Sequence, residues 1–303
     1  MSPLVKDYLH LHFIVWIWGF TAILGLLITI PALEIVFYRT LFAFVTLGMM
    51  LVLAKRFPRL PPKDILKMVG IGLLIGTHWT LFFAAARVAN VSVCLVGMAT
   101  CAFWTSLLDP LMSRRKILWY EIALGLLVVI GLYIVFRFEG DYTVGLIMAI
   151  ISSIFAAIFS ILNSYITHRH SHYVITFYEM FGAWLMTVIF IPVYLLFFAD
   201  HGLQLSISWM DLLYLAILAF ICTVYAYSAS VELMKRISAF AVNLTYNLEP
   251  VYGIILAVLI FGESEKMTPE FYMGGIVILI SVLAYPVLNW FYRRKALQVD
   301  NLR

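Results

Sequence analysis

The sequence predicts an all-α integral membrane protein whose ten transmembrane helices form two inverted five-helix repeats, with both termini in the cytoplasm. Three observations predict this fold: the composition, the number of apolar runs, and the placement of positive charge. Of the 303 residues, 64% are hydrophobic and only 12% are charged, and the mean hydropathy is +1.01. A soluble domain is typically about half apolar and about a quarter charged. We therefore expect lipid, rather than water, to cover most of the surface.

Ten apolar runs, separated by charges or turn residues, are each long enough for a membrane-spanning helix, which needs about 20 residues. The runs are continuous, whereas the strands of a membrane barrel are alternating segments of about 10 residues. The predicted spans are residues 10–30, 33–54, 65–86, 91–112, 118–137, 143–166, 174–198, 209–231, 237–261 and 271–292.

Positive charge is concentrated on one side of this arrangement. With ten spans both termini share a side, and sixteen of the twenty Lys and Arg residues fall in segments on that side. Three fall on the other side, and Arg39 lies within a span. Because cytoplasmic loops carry an excess of Lys and Arg, we expect cytoplasmic termini in a multi-pass protein of the plasma or inner membrane.

The two halves of the chain show weak internal similarity. At a spacing of 146 residues Trp79 aligns with Tyr225, and at a spacing of 140 FYR (37–39) aligns with FYE (177–179). Five spans is an odd number, so the second half enters the membrane from the opposite side. Inverted repeats recur in secondary transporters, with the substrate site near the midplane between the halves. The predicted repeats are residues 1–139 and 140–303.

Several longer stretches carry a family resemblance. They are WGFTAILG (18–25), FYR (37–39), SAFAVNLTYNLEPVYGIILAVLIFGE (238–263) and GGIVILISVLAY (274–285). Their order and spacing resemble the EamA-like branch of the drug/metabolite transporter superfamily over nearly the whole chain. The resemblance implies a ten-helix inverted-repeat fold that moves small metabolites, commonly outward, sometimes in exchange for another solute or with protons.

The ninth predicted span contains the polar stretch NLTYNLEP (243–250). Burying these polar side chains in hydrocarbon is energetically unfavourable. On a helical wheel Asn243, Tyr246, Asn247 and Pro250 fall on one side, with Glu249 extending that sector, while leucine, isoleucine and valine fall opposite. This pattern predicts one face toward lipid and one toward water, a ligand or polar partners. Pro250 removes a backbone hydrogen bond, so we expect it to kink the span at a cavity and act as a hinge.

Glu249 is the most costly residue of that face, because a carboxylate at the centre of a span costs about 2.5–3.5 kcal/mol even on lenient scales. One interpretation is proton coupling, in which Glu249 takes a proton from one side and releases it to the other. The alternative is a hydrogen-bonded glutamate that fixes the packing of the ninth span.

Arg39 lies about two turns inside the second span. Its side chain either reaches the interface or pairs with Glu34, or it provides a fixed cation for a substrate carboxylate or phosphate, which the guanidinium fork suits.

Aromatic residues and a histidine accompany these charges. His78 and Trp79 lie in the middle of the third span, where His78 is either satisfied by a neighbour or part of the substrate site. Trp79, Tyr225, Trp16 and Trp18 are candidates for an aromatic box around a planar or apolar ligand. Anchoring at the membrane interface is the rival interpretation for tryptophans near span ends.

Other features are predicted to serve structure. Asn163 and Glu179 lie toward the cytoplasmic ends of their helices and are interpreted as helix-end or gate polar groups. Gly70 and Gly72 are expected to let helices approach closely. Cys94, Cys101 and Cys222 are expected to be packing residues rather than disulfide partners or metal ligands, and neither a cofactor nor a metal is expected.

The function expected is a secondary transporter, exporting a small metabolite such as an amino acid by alternating access around a midplane cavity. Proton coupling and exchange both stay open. The alternatives are an intramembrane enzyme, for which the chain offers no Gly-x-Ser-x-Gly or His-Glu-x-x-His motif, and a non-transporting receptor or scaffold. The expected partners are the small-molecule substrate and membrane lipid, not nucleic acid; the oligomeric state is open.

Overall fold

The computed structural model describes residues 3–55, 57, 59–114, 116–138, 142–198, 202–262 and 268–300, and these residues form helices and connecting turns only. The helices are α1 (Pro3–Trp18), α2 (Thr21–Leu27), α3 (Ala32–Leu53), α4 (Pro62–Val88), α5 (Val91–Met98), α6 (Cys101–Ser113), α7 (Trp119–Phe138), α8 (Thr143–Ile166), α9 (His172–Phe197), α10 (Trp209–Ala216), α11 (Ala226–Leu233), α12 (Ala239–Tyr246), α13 (Glu249–Phe261) and α14 (Pro269–Asp300). A π-helical segment, Ile217–Tyr225, joins α10 to α11.

Nine helical segments of the described chain are long and apolar enough to cross a membrane, so this is a multi-pass membrane protein. They are Leu4–Leu27, Ala32–Leu53, Pro62–Val88, Val91–Ser113, Thr143–Ile166, His172–Phe197, Trp209–Leu233, Ala239–Phe261 and Tyr272–Tyr292. The remaining predicted span corresponds to α7, which is 20 residues long. The predicted boundary between the repeats, at residues 139 and 140, and Glu263 of the family-like stretch lie outside the described residues.

Three spans are interrupted near their middles. The breaks fall between α1 and α2, between α5 and α6, and between α12 and α13. At each break the chain tightens into bonds from residue i to i−3, such as Phe20 N to Ile17 O (3.3 Å), Thr100 N to Gly97 O (3.3 Å) and Asn247 N to Leu244 O (3.1 Å). Tightened turns of this kind leave helix ends, and hence polar backbone groups, in the middle of the membrane.

The fourth and ninth spans are built alike, at a spacing of 148 residues. Asn90 caps α5 by accepting from Val93 N, and Ser238 caps α12 by accepting from Ala241 N. Further along, α6 begins at Cys101 and α13 at Glu249. Between these two spans the corresponding caps and helix starts are thus 148 residues apart, rather than the predicted 146.

Close helix packing joins α4 and α9 through glycine. A Cβ atom on Gly72 would collide with the carbonyl oxygen of Glu179 and would lie 2.8 Å from the Cα of Gly182. Small residues permit such close backbone approach between spans. Gly70, predicted to do the same, has no atom of a neighbouring helix within 4 Å of a Cβ built on it. The prediction for Gly70 was wrong because it lies on the opposite side of α4.

Candidate functional site

A cavity lies in the middle of the helical bundle, where the interrupted spans meet α3, α4, α8 and α11. The centre of a water molecule can occupy about 80 Å³ of it, which is room for several waters. The residues predicted as a site that line it are Trp18, Arg39, His78, Trp79, Asn243, Tyr246, Asn247 and Glu249.

Arg39 reaches the cavity from α3 and is only 2% exposed. Its Nε donates to the Thr223 hydroxyl at 2.8 Å, and its guanidinium carbon lies 3.8 Å from the centre of the Trp79 ring. Among the described residues, neither terminal nitrogen has a hydrogen-bond or acidic partner, and Glu34 instead accepts from the Gln204 backbone N–H at 3.2 Å. The predicted Glu34–Arg39 pair is thus not formed, and the guanidinium fork remains free for an anionic ligand.

The π-helical segment provides the anchors for Arg39 and Trp18. Its Cys222 carbonyl accepts from Trp18 Nε1 at 3.0 Å, and its Thr223 hydroxyl donates to the Leu218 carbonyl at 2.8 Å while accepting from Arg39. A π-helical turn changes the hydrogen-bond register of the backbone, which makes these groups available to neighbouring spans. The segment therefore positions both a cation and an indole in the wall of the cavity.

His78 is held in one tautomer by α8. Its Nδ1 lies 3.0 Å from the Ser152 carbonyl oxygen, an atom that only accepts, so Nδ1 carries the proton in the neutral ring. The Ser152 hydroxyl donates back to the His78 carbonyl at 2.7 Å. Nε2 has no described protein partner and is left as an acceptor in the wall of the cavity. The ring is thus satisfied on one edge and free on the other.

The polar face of the ninth span divides into two parts. Asn243 is fully bonded: its amide donates to Thr105 at 2.8 Å and its carbonyl accepts from Ser160 at 2.9 Å, which ties α12 to α6 and α8. Among the described residues, in contrast, the Asn247 amide nitrogen is buried without a hydrogen-bond partner, and the Tyr246 hydroxyl has only the Ser230 side chain near it as a candidate partner. Buried polar atoms are usually paired, so these two groups are the ones left for a ligand or water.

Glu249 is the first residue of α13 and faces the cavity. Its carboxyl group lies 3.4 Å from the Thr21 hydroxyl, a long hydrogen bond. Arg39 lines the same cavity, and the two side chains are not within ion-pairing distance of each other. One cavity therefore presents a cation and a carboxyl group that a ligand can bridge.

Pro250 does not kink a continuous helix as predicted. The span is already interrupted at Asn247 and Leu248, and Pro250 occupies the second position of α13. A proline in the first turn loses no hydrogen bond, because that N–H has no intrahelical partner. The break rather than the proline is the candidate hinge.

Trp16 and Tyr225 do not reach the cavity. Trp16 is 46% exposed and packs on Phe13 and Phe20, and Tyr225 is 43% exposed with its hydroxyl 3.1 Å from His10 Nε2. These two residues lie on the outside of the bundle, so we do not retain them as substrate-binding candidates. A spacing of 148 pairs Trp79 with Tyr227 rather than Tyr225, which explains the error.

Tyr227 is a lining residue that the sequence interpretation missed. Its ring meets Trp79 edge-on at 6.1 Å, and its hydroxyl bonds Asn163 and Glu179. The alignment of FYR with FYE had already placed Glu179 opposite Arg39 in the second half. That alignment was the available signal for a second ionisable residue buried in the bundle.

The end of the bundle predicted to face outward is closed by hydrogen bonds. Thr29 donates its backbone N–H (2.7 Å) and hydroxyl (2.8 Å) to Asp211, and Arg87 donates to the carbonyls of Gly25 (3.1 Å) and Ile28 (2.7 Å). The cavity lining extends the other way, to Met234 beyond the end of α11. By the predicted orientation, that is the cytoplasmic side.

Known proteins share features of both the sequence and the architecture of this chain. The model of the EamA-like transporter family matches residues 8–137 and 143–285. A solved structure described as "Crystal structure of protein" superposes with a TM-score of 0.67 at 15% identity, covering 94% of this chain and 98% of that chain. At that identity the likeness concerns the fold alone. No curated protein matches the chain significantly.

Proposed function

Because the chain belongs to the EamA-like transporter family, we propose that it is a secondary active exporter of a zwitterionic small metabolite such as an amino acid. The substrate binds in the central cavity, and alternating access moves it across the membrane. The transporter works in the plasma or inner membrane, and either protons or an exchanged solute drive it.

One observation carries the choice of substrate class: Arg39 and Glu249 face one aromatic-walled cavity without contacting each other. A carboxylate of the ligand matches the free guanidinium fork. An ammonium group matches Glu249, and the rings of Trp18, Trp79 and Tyr246 in the same wall cover the apolar body of the ligand.

The alternating mechanism rests on a proposed inverted repeat of ten helices, with residues 1–139 and 140–303 as the two halves. The twofold family match and the common construction of the fourth and ninth spans support this division. The predicted charge bias supports cytoplasmic termini. In that orientation the structure is closed outside, and opening requires the Thr29–Asp211 contacts to separate.

Counterflow in liposomes tests the proposal. Purified protein is reconstituted, the liposomes are loaded in turn with each unlabelled amino acid, and uptake of the same labelled amino acid is followed against protein-free liposomes. At least one amino acid is expected to be concentrated inside, whereas sugars of similar size are not. Chemical conversion without accumulation would indicate an enzyme, and no movement of any amino acid would exclude the substrate class.

The same liposomes test the proposed coupling role of Glu249. A pH gradient is expected to drive net uptake by the wild type but not by Glu249→Gln, which cannot exchange a proton. Counterflow by the variant should continue at a lower apparent affinity, because the glutamine carbonyl can still accept from the ligand's ammonium group. Equal gradient-driven uptake by both proteins would remove Glu249 from the coupling mechanism.

A further inference from the structure

A second carboxyl group, Glu179 of α9, lies one layer behind the cavity and is completely buried. Its Oε2 accepts from the Tyr227 hydroxyl at 3.0 Å, and the Tyr227 oxygen accepts from Asn163 Nδ2 at 2.8 Å. The Asn163 side chain also lies beside the Glu179 carboxyl group. Three side chains from three spans thus form a closed cluster, of which only Tyr227 lines the cavity.

The donors and acceptors of this cluster favour a proton on the Glu179 carboxyl group. The Tyr227 hydroxyl has one hydrogen, which it gives to Glu179, so Asn163 must present its amide nitrogen to Tyr227. This leaves Glu179 Oε1 and Asn163 Oδ1, both buried and both without a donor. A proton on Glu179 Oε1 satisfies both atoms at once and closes a three-membered ring of hydrogen bonds. A deprotonated Glu179 leaves two buried acceptors without a hydrogen between them, which is costly.

Among the described residues, no cation compensates a negative charge on Glu179. No described Lys, Arg or His nitrogen lies within 4.0 Å of the Glu179 carboxylate. The titratable groups on this side are Tyr227 of α11, in direct contact, and Tyr246 of α12, which faces Tyr227. A buried carboxylate without a cation is strongly destabilising.

We propose that Glu179 is a proton-binding site of this transporter. Hydrogen bonds with Asn163 and Tyr227 enclose its carboxyl group, and Tyr227 connects the carboxyl group to the cavity, so that the contents of the cavity control release of the proton. When a ligand or cavity water draws the Tyr227 hydroxyl away, the ring opens, the O–H bond of Glu179 breaks, and cavity water takes the proton. When the ring closes, Glu179 takes a proton back. This site is additional to Glu249 and deepens the proposed transport function, on which its physiological meaning rests.

Infrared difference spectroscopy on the purified protein in lipid tests the site without any substrate. Titration from acidic to alkaline pH is expected to remove a carboxylic acid C=O band that belongs to a carboxyl group shielded from water. The band should be lost in Glu179→Gln and retained in Glu249→Gln. The side-chain amide introduced by Glu179→Gln can donate to Asn163 and accept from Tyr227, so this variant should keep the wild-type thermal unfolding temperature.

Two further variants control for disruption of the fold. Tyr227→Phe removes one hydrogen bond to the carboxyl group and should shift the band without abolishing it. Glu179→Met removes the ring's donor and acceptor at similar volume and should unfold at a lower temperature than Glu179→Gln. A difference spectrum unchanged in Glu179→Gln would overturn the proposal. Since no transport is measured, that result would leave the counterflow test of the proposed function unaffected.

Discussion

Arg39→Ala is expected to abolish detectable binding of the transported amino acid. A hydrogen bond to a charged group contributes about 1.5–3 kcal/mol, or about 10- to 150-fold in affinity, and the free guanidinium fork of Arg39 offers two. Arg39→Lys keeps the charge but loses the fork and the Nε contact with Thr223, so an intermediate loss of about 10-fold or more is expected. Equilibrium binding of the labelled amino acid identified by counterflow measures both variants.

Arg87→Ala is the matched control. Arg87 is also a partly buried arginine of a membrane helix, but it lies in the last turn of α4, bonds the Gly25 and Ile28 carbonyls at the closed end and does not line the cavity. This variant should retain the affinity of the cavity for the ligand, though its thermal stability should fall. Wild-type affinity in Arg39→Ala, or equal losses in Arg39→Ala and Arg87→Ala, would show that Arg39 does not hold the ligand.

Gly72→Ala is expected to have one of the largest effects on stability of any single methyl addition in the described helices. The new Cβ would collide with the Glu179 carbonyl and crowd Gly182, and backbone atoms in packed spans cannot move aside as a flexible side chain can. Overpacking typically lowers the free energy of unfolding by about 1–3 kcal/mol. The loss caused by Gly72→Ala at the α4–α9 contact should lie at the top of that range or above it. The thermal unfolding temperature in detergent measures the effect.

Gly70→Ala, two residues away on the same helix, is its control. A Cβ there meets open space, and alanine is favoured over glycine in a helix by about 0.5–1 kcal/mol. This variant should therefore unfold at the wild-type temperature or slightly above it. If both alanine variants behave alike, the close α4–α9 contact is not a feature of the protein in solution.

The membrane class and the polar face of the ninth span could be predicted from the sequence because both depend on local patterns. The composition predicts a membrane protein whatever arrangement the apolar runs adopt. A helical wheel groups Asn247 with Tyr246 in any regular helix. The same wheel cannot anticipate a broken helix. For that reason Pro250 was interpreted as a kink in a continuous span, although the break lies just before it.

The remaining errors concern relations between distant segments. Trp79 was paired with Tyr225 on a spacing of 146, while the helix caps and helix starts correspond at 148. The contact of Glu179 with Tyr227 joins two spans that sequence periodicity treats separately. Free polar groups, such as Asn247 Nδ2, become visible only when all their neighbours are known.

Cysteine labelling tests the central claim most directly, which is that a wet cavity in the middle of the bundle is reached from each side in turn. In a chain with Cys94, Cys101 and Cys222 replaced by alanine, Ser230→Cys and Ser228→Cys are compared. Both serines are 1% exposed, but Ser230 lines the cavity and Ser228 does not. A membrane-impermeant maleimide, applied to either side of oriented vesicles, should label Ser230→Cys and leave Ser228→Cys unlabelled. Labelling of Ser230→Cys from neither side, or from one side alone, would contradict alternating access through this cavity.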